Sequence, residues 1–268
     1  MIELNKCFRL LDEGFSLITV SKDKIPNTKW KQYQTSPIDK ETFKKHYNLS
    51  TTDNIGIVTG YQDLECVDID LKVFSTAKEK VDFWEEYISF LKDNIFDFDD
   101  KFVVYKTMNA GYHIIYKSKR VLGNLKLAKL KGHKQQIIET RGVGGYIWFY
   151  DGNNTTGKTY KDIQYISDED RDILWSCSKS YDYIEPTEVI IPQKTKQEYS
   201  SEGLKAWEDY NDKTNIMDLI SDQFTIVRQL KDKYMIRRNG ASSPHSGYIF
   251  KDTGFMFLYS TGTSFDIE

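Results

Sequence analysis

The chain has 268 residues and is 39% hydrophobic, 29% charged and 14% aromatic, with Gly 16 and Pro 5. That composition excludes a disordered or fibrous chain and predicts a globular protein of two domains, or of one domain with an appendage. Lys+Arg 37 against Asp+Glu 40 gives a net charge of −3, a balance that argues against a general polyanion binder.

No stretch of sequence approaches the ~18 apolar residues of a membrane span, and the N-terminal segment has no signal-peptide core, so a cytoplasmic protein with no membrane partner is expected. Cys7, Cys66 and Cys177 are odd in number and widely spaced. They support neither a disulfide framework nor a thiolate zinc site and read as small apolar residues.

In chain order, Asn5 is placed to cap a short helix carrying Phe8 and Leu11, Gly14 to end it, and residues 15–20 to alternate as a strand. Pro26 and Asn27 mark a loop, and a helix is predicted over residues 38–47. Residues 55–59 and 64–71 read as two strands joined by a turn at 60–63. Thr76 and Glu79 have capping-box spacing, and Val81, Trp84, Ile88 and Leu91 form an apolar stripe on the helix that follows. Residues 102–105, 112–116, 136–140 and 146–150 read as further strands. The composite is a helix-covered sheet of α+β class in a domain spanning residues 1–185.

Residues 186–203 are polar, contain two prolines and lack periodicity, which predicts a linker. Residues 204–268 then form a small α/β appendage, with helices at 204–210 and 216–220, strands within 225–238 and 248–260, and turns at Gly240, Gly247 and Gly254.

Side chains alternate along a strand, so Asp68 and Asp70 in C-V-D-I-D-L project from one face. Adjacent anions on an apolar strand are costly to desolvate, and a hard divalent cation such as Mg²⁺ or Mn²⁺ is the usual remedy. The alternative is a strand end dipping into solvent. In T-M-N-A-G-Y-H-I-I-Y, His113 opens a strand just after a turn-prone stretch. In Q-I-I-E-T-R-G-V-G-G-Y, Glu139 and Arg141 share a face, an acid for a metal beside a guanidinium for a phosphate, or a plain salt bridge.

These three segments, in this order, resemble the motifs of the archaeo-eukaryotic primase superfamily, specifically its bifunctional primase-polymerase (prim-pol) branch. Neighbouring words extend the likeness over about residues 14–165: G-F-S-L-I-T-V, K-D-K-I-P-N-T-K-W, N-I-G-I-V-T-G and E-T-R-G-V-G-G-Y. The resemblance implies an RRM-like catalytic fold and template-directed nucleotidyl transfer. Asp68, Asp70 and Glu139 would hold two Mg²⁺ or Mn²⁺ ions, and His113, with Arg141 and Lys24, would contact the phosphates of an NTP or dNTP. The implied setting is replication of phage or mobile-element DNA on a single-stranded DNA template. Two departures stand out. Gly111 occupies a position where the family often has Ser, so its backbone N–H is expected to replace a hydroxyl contact to phosphate. After Gly145-Tyr146 the chain continues I-W-F-Y-D-G-N instead of small apolar and Pro residues.

The C-terminal words R-R-N-G-A-S-S-P-H-S-G-Y-I-F and F-L-Y-S-T-G-T-S-F resemble the small module that follows the prim-pol domain in phage-type primases, usually ahead of a helicase. A replicative helicase acting in cis or in trans is the partner this implies. Arg237, Arg238, Ser242, Ser243 and His245 would offer a modest phosphate-contacting surface, or a solvated turn.

Residues 152–159, G-N-N-T-T-G-K-T, fit G-x-x-x-x-G-K-[ST]. Such a loop should open a helix, but Tyr160, Ile163, Tyr165 and Ile166 give no helical stripe, so the match reads as chance. Residues 101–138 hold nine Lys or Arg and no Asp or Glu. Lys117, Lys119, Arg120, Lys126 and Lys131 in this stretch are the expected nucleic-acid contacts, and Trp30 and Tyr33 are expected to stack on bases. A lysine-rich solvated face is the alternative. The rival functions are a metal-dependent nuclease using the same carboxylates and a catalytically silent nucleic-acid-binding module.

Overall fold

The computed structural model describes residues 2–49, 51–183, 215–241 and 245–258. The predicted linker at 186–203, the predicted helix at 204–210, and Ser242 and Ser243 lie outside these residues. The chain divides into a unit of Met1–Tyr183 and a unit of Ile184–Glu268. Both are mixed α and β, with three antiparallel sheets and six helices among the described residues.

The first unit opens with α1 (Leu4–Asp12), β1 (Leu17–Val20), α2 (Lys40–Tyr47) and β2 (Asn54–Val58). Helix α1 starts one residue before the predicted cap, so Asn5 lies inside it and Glu3 takes the N-cap position. Asp39 caps α2 by accepting from the Thr42 N–H at 2.8 Å. The next strand, β3 (Leu64–Ile69), does not pair with β2 as a hairpin. The connection passes through Gly60, Gln62 and Asp63, all with positive φ, and carries the chain into a second sheet. At Gly60 a Cβ would stand 2.7 Å from the Val143 Cα, so this crossing needs glycine on both counts.

Helix α3 (Ala77–Asn94) begins with the predicted capping box of Thr76 and Glu79. Its buried face is Trp84, Tyr87, Phe90 and Leu91. Val81, expected inward, is 47% exposed, because the aromatic residues, which have more apolar area to bury, turn the helix toward themselves. Then follow α4 (Phe98–Lys101), β4 (Val103–Lys106), β5 (Tyr112–Lys117), β6 (Lys126–Lys129), β7 (Gln136–Arg141), β8 (Tyr146–Trp148) and α5 (Asp168–Lys179).

Two sheets result, where the sequence predicted one. Strands β1, β2 and β8 form a three-stranded sheet in the order β1-β2-β8, and the five-stranded sheet runs β4-β5-β3-β7-β6. All four residues of β1 are buried, the mark of a strand covered on both faces. Cys66, Tyr105 and Ile115 of the larger sheet join Ile18, Ile55 and Ile147 of the smaller in one apolar cluster. The opposite face of the larger sheet carries α3 and α5: Trp84 stacks on Tyr112 at 3.5 Å, and the Trp175 indole donates to the Tyr116 hydroxyl at 3.0 Å.

The loop at 152–159 opens no α-helix, only the single 3-10 turn Tyr160–Asp162 that Thr159 caps. It runs along β4, with the Lys106 N–H donating to the Asn153 carbonyl at 3.0 Å and the Thr155 N–H to the Val104 carbonyl at 2.8 Å. Its sequence serves to cover a sheet edge that would otherwise be unpaired.

In the second unit, α6 (Ile216–Ile220) precedes a sheet of β9 (Phe224–Gln229), β10 (Lys233–Arg238), β11 (Gly247–Phe250) and β12 (Met256–Leu258), in the order β12-β11-β10-β9. Ile220, Phe224, Ile236 and Ile249 form its core. Gly247, predicted as a turn, starts β11, where a Cβ would meet the Phe257 carbonyl oxygen at 2.1 Å. Arg237 and Arg238 end β10, and His245 is buried.

Candidate active site

Register in the five-stranded sheet builds the site. Asp68 on β3 stands opposite His113 on β5 and opposite Glu139 on β7. The same row continues to Tyr105 on β4 and Lys126 on β6. Directly opposed residues share a face of the sheet and have Cβ atoms about 4.5–5.5 Å apart, so His113, Asp68 and Glu139 fall within about 10 Å. Arg141, two residues beyond Glu139, is on this face as well, opposite Cys66.

Asp70 lies just past the end of β3. Its backbone remains extended, and its carboxylate accepts from the Lys72 N–H and ammonium, both at 3.1 Å. Arg141 bridges the other two acids. Its Nε and Nη2 donate to Asp68 Oδ2 at 3.2 Å, and Nη2 also donates to Glu139 Oε1. The His113 Nε2 sits 3.5 Å from Asp68 Oδ1, while its buried Nδ1 has no hydrogen-bond partner. The Tyr150 ring meets the imidazole edge-to-face at 5.4 Å.

Charge follows geometry. Burial works to raise the Asp68 pKa, but His113 and Arg141 outweigh it and bring it down to about 2. Burial raises Glu139, and the charges of Asp68 and Asp70 add to that rise against the opposing Arg141. Lys24 enters from the loop after β1, with φ 63. Partial burial lowers the pKa of its ammonium and the Asp68 and Asp70 charges oppose that shift, which places it within their field. Its Nζ lies 4.9 Å from the centroid of the Trp148 ring, and the Tyr146 hydroxyl donates to its carbonyl at 2.5 Å.

Among the described residues no group of three or more His, Cys, Asp or Glu side chains is gathered as a ready metal cage. The expected cage of Asp68, Asp70 and Glu139 is thus not preassembled, because Arg141 links Asp68 to Glu139 and Lys72 holds Asp70. The donors nonetheless suit a hard divalent cation. All three are carboxylates, the hard oxygen ligands such a cation takes, and Asp68 and Glu139 face each other across β3 and β7.

The other expected contacts are dispersed. The Gly111 N–H donates to Thr107 Oγ1 at 3.0 Å and is therefore engaged. Glycine is needed there for another reason, since a Cβ would lie 2.2 Å from the Ile69 carbonyl oxygen. Lys119 pairs with Asp63 at 2.9 Å and Arg120 with Asp172 at 3.0 Å. Lys117 approaches the Tyr165 ring at 5.9 Å and Lys131 the Tyr183 ring at 5.3 Å. Lys126 alone of these five stands in the carboxylate row. Trp30 packs edge-to-face on Tyr146 at 5.3 Å, and Tyr33 packs against the core. Sequence reasoning missed Lys72, Tyr150 and Trp148. Lys72 carried a usable signal, two residues after Asp70.

No helix among the described residues is long and apolar enough to cross a membrane. A search of the curated proteins finds no match. A scan against protein-family models matches residues 8–168 to the family described as bifunctional DNA primase/polymerase, N-terminal. That span covers more than half of the chain and contains the whole carboxylate row, and the chain belongs to the bifunctional DNA primase/polymerase (Prim-Pol) family.

Proposed function

We propose that the protein carries out template-directed nucleotidyl transfer, as a DNA primase, a DNA polymerase or both, taking NTP or dNTP on a single-stranded DNA template. The observation that supports this most directly is the row of His113, Asp68 and Glu139 across three adjacent strands, with Asp70 at the strand end and Lys24, Lys72 and Arg141 around it. In this reading Asp68, Asp70 and Glu139 hold two Mg²⁺ or Mn²⁺ ions. Such ions, when bound, activate an attacking 3′-hydroxyl and neutralise a leaving pyrophosphate.

The chain's own groups do the rest. Asp68, with its pKa near 2, is ionised at any physiological pH and loses no proton on taking up a cation. Arg141 exchanges partners: its planar fork, now shared between two carboxylates, suits a phosphate equally well. Lys24 supplies a point charge from a loop pinned by the Tyr146 hydroxyl. His113 positions Asp68 and contacts a phosphate oxygen. No protein nucleophile is required. The phage or mobile-element setting, the small C-terminal module and a helicase in cis or in trans belong to this same reading.

The test is extension of a labelled primer on a single-stranded template with added dNTPs or NTPs. The wild-type chain should lengthen the primer and the Asp68→Ala/Asp70→Ala variant should not. Shortening of the primer would identify a nuclease, and unchanged incorporation by the variant would remove these carboxylates from the chemistry.

A further inference from the structure

Strand β8 and its continuation send aromatic side chains toward Lys24 and His113. Tyr146, Trp148 and Tyr150 are two residues apart, and the alternation runs past the strand end, since the Phe149 N–H donates to the Ile55 carbonyl at 3.1 Å. The Tyr146 hydroxyl donates to the Lys24 carbonyl at 2.5 Å, and Trp30 packs edge-to-face on the Tyr146 ring. Trp148 carries the Lys24 ammonium 4.9 Å from its ring centroid, and Tyr150 meets the His113 imidazole at 5.4 Å. Trp148 and Tyr150 lie in I-W-F-Y-D-G-N, the stretch where the chain departs from the family it resembles, so no motif accounts for either.

Both targets need outside support. Lys24 sits in a tight turn, its N–H donating to the Ser21 carbonyl at 2.9 Å and its φ at 63, a conformation unfavourable to a residue with a Cβ. Its long side chain loses much rotamer freedom when held in one place, and an aromatic face is a surface that can hold an ammonium. His113 has Nε2 3.5 Å from Asp68 Oδ1, while the buried Nδ1 has no hydrogen-bond partner. A hydrogen bond at the second nitrogen usually fixes an imidazole's orientation; here that task falls to packing. Tyr150 is itself held at both ends. Its N–H donates to the Tyr160 hydroxyl at 3.2 Å, and its own hydroxyl bonds to the Thr107 side chain and the Met108 backbone, in the turn that leads into β5 and His113.

We infer that Trp148 and Tyr150 are positioning residues, which hold the Lys24 ammonium and the His113 imidazole where a polyphosphate meets them and act through those two groups rather than on the substrate. The inference rests on the nucleotidyl-transfer reading only for what Lys24 and His113 contact. The smaller sheet then does more than cover the larger one: a single strand of it braces two groups that arrive from different elements, the loop after β1 and strand β5.

Primer extension by the full chain, with kcat/KM for dNTP measured in a double-mutant cycle, tests the Trp148 half. Trp148→Leu should lower kcat/KM about fivefold with Lys24 present, the size of a partly buried cation–π contact, and less than about twofold in the Lys24→Ala background. Trp148→Phe keeps a ring and should lose less than Trp148→Leu. For Tyr150 the readout is spectroscopic. In ¹H–¹³C NMR spectra the His113 ring signals, assigned with His113→Gln, should move in Tyr150→Leu and return toward their wild-type positions in Tyr150→Phe. Equal losses with and without Lys24, a Trp148→Phe no better than Trp148→Leu, or His113 signals unmoved by Tyr150→Leu would overturn the inference while leaving nucleotidyl transfer standing. If the leucine variants do not fold, the wild-type spectrum decides: the Lys24 ε-methylene signal should lie upfield of the other lysines under the Trp148 ring current, and an unshifted signal would overturn the inference. A primer left unextended by the wild-type chain would overturn the nucleotidyl-transfer reading, and the inference with it.

Discussion

Strand β3 carries Asp68 on one face and Glu65 on the other, and Glu65 ties the strand to α5. Glu65 and Arg171 are 0% and 1% exposed. They form two hydrogen bonds, Nε to Oε2 at 2.7 Å and Nη2 to Oε1 at 2.9 Å, and the guanidinium lies 3.7 Å from the Trp175 ring centroid. Glu65→Leu removes one partner and strands a guanidinium that cannot shed its charge. An uncompensated buried charge of this kind costs about 3–5 kcal/mol. With a urea m-value of about 2 kcal/mol/M, the unfolding midpoint should fall by about 1.5–2.5 M. Glu65→Leu/Arg171→Met keeps the volume and removes both charges, and it should recover at least half of that loss. Urea titration of the full chain by circular dichroism gives both numbers. A fall below about 0.5 M for the single variant, or a double variant as unstable as the single, would refute the argument that the charge balance of this pair holds the helix to the strand.

Gly111→Ser, a change toward the residue common in the resembling family, should destabilise this chain by about 1–3 kcal/mol, because the new Cβ would meet the Ile69 carbonyl oxygen at 2.2 Å. It should also displace His113, two residues on, and lower incorporation. Thermal unfolding and primer extension check the two halves separately. Lys126→Ala should weaken binding of a labelled single-stranded oligonucleotide and reduce its salt slope by about 0.7, since Lys126 stands in register with Glu139. Lys119→Ala should leave both unchanged, because Lys119 is already bonded to Asp63 at 2.9 Å and to Tyr165 at 3.0 Å. Fluorescence anisotropy between 50 and 200 mM salt distinguishes them.

Much of the five-stranded sheet was readable in the sequence because its signals are local. Asp68 and Asp70 two apart, His113 after a turn, and Glu139 with Arg141 two apart each fix a face by strand alternation alone. That these faces meet depends on register between segments some 45 and 71 residues from Asp68, as the pairings Asp68↔His113 and Asp68↔Glu139 record, and no short-range pattern encodes it. The same limit explains the errors. Residues 55–59 and 64–71 looked like a hairpin because they are adjacent, yet a left-handed crossing at Gly60 to Asp63 sends them to different sheets. Strand β6 was lost in a lysine-rich stretch whose two buried residues, Leu127 and Ala128, are too few to set a period.

Helix α5 escaped notice because its buried face includes Arg171 and Ser178 as well as Leu174 and Trp175, although Ser167 and Asp170 had cap spacing. The basic stretch is less one-sided in space than along the chain. Its nine cations have no acid among them in sequence, but Asp63, Asp170 and Asp172 reach Lys119, Lys101 and Arg120 from more than fifty residues away. Charge segregation along a chain is therefore not charge segregation in space. Here the positive charge closest to the carboxylates comes from Lys24, Lys72 and Arg141, only one of which flanks that stretch.

In the proposed reaction Asp68, Asp70 and Glu139 exchange Arg141 and Lys72 for divalent ions. A crystal structure of the chain with Mn²⁺ and a nonhydrolysable nucleoside triphosphate, with anomalous scattering to locate the metal, tests it directly. Mn²⁺ is expected between Asp68, Asp70 and Glu139, with the Arg141 guanidinium turned from the carboxylates to the phosphates. Metal density elsewhere, or an Arg141 still bridging Asp68 and Glu139 with nucleotide bound, would contradict it.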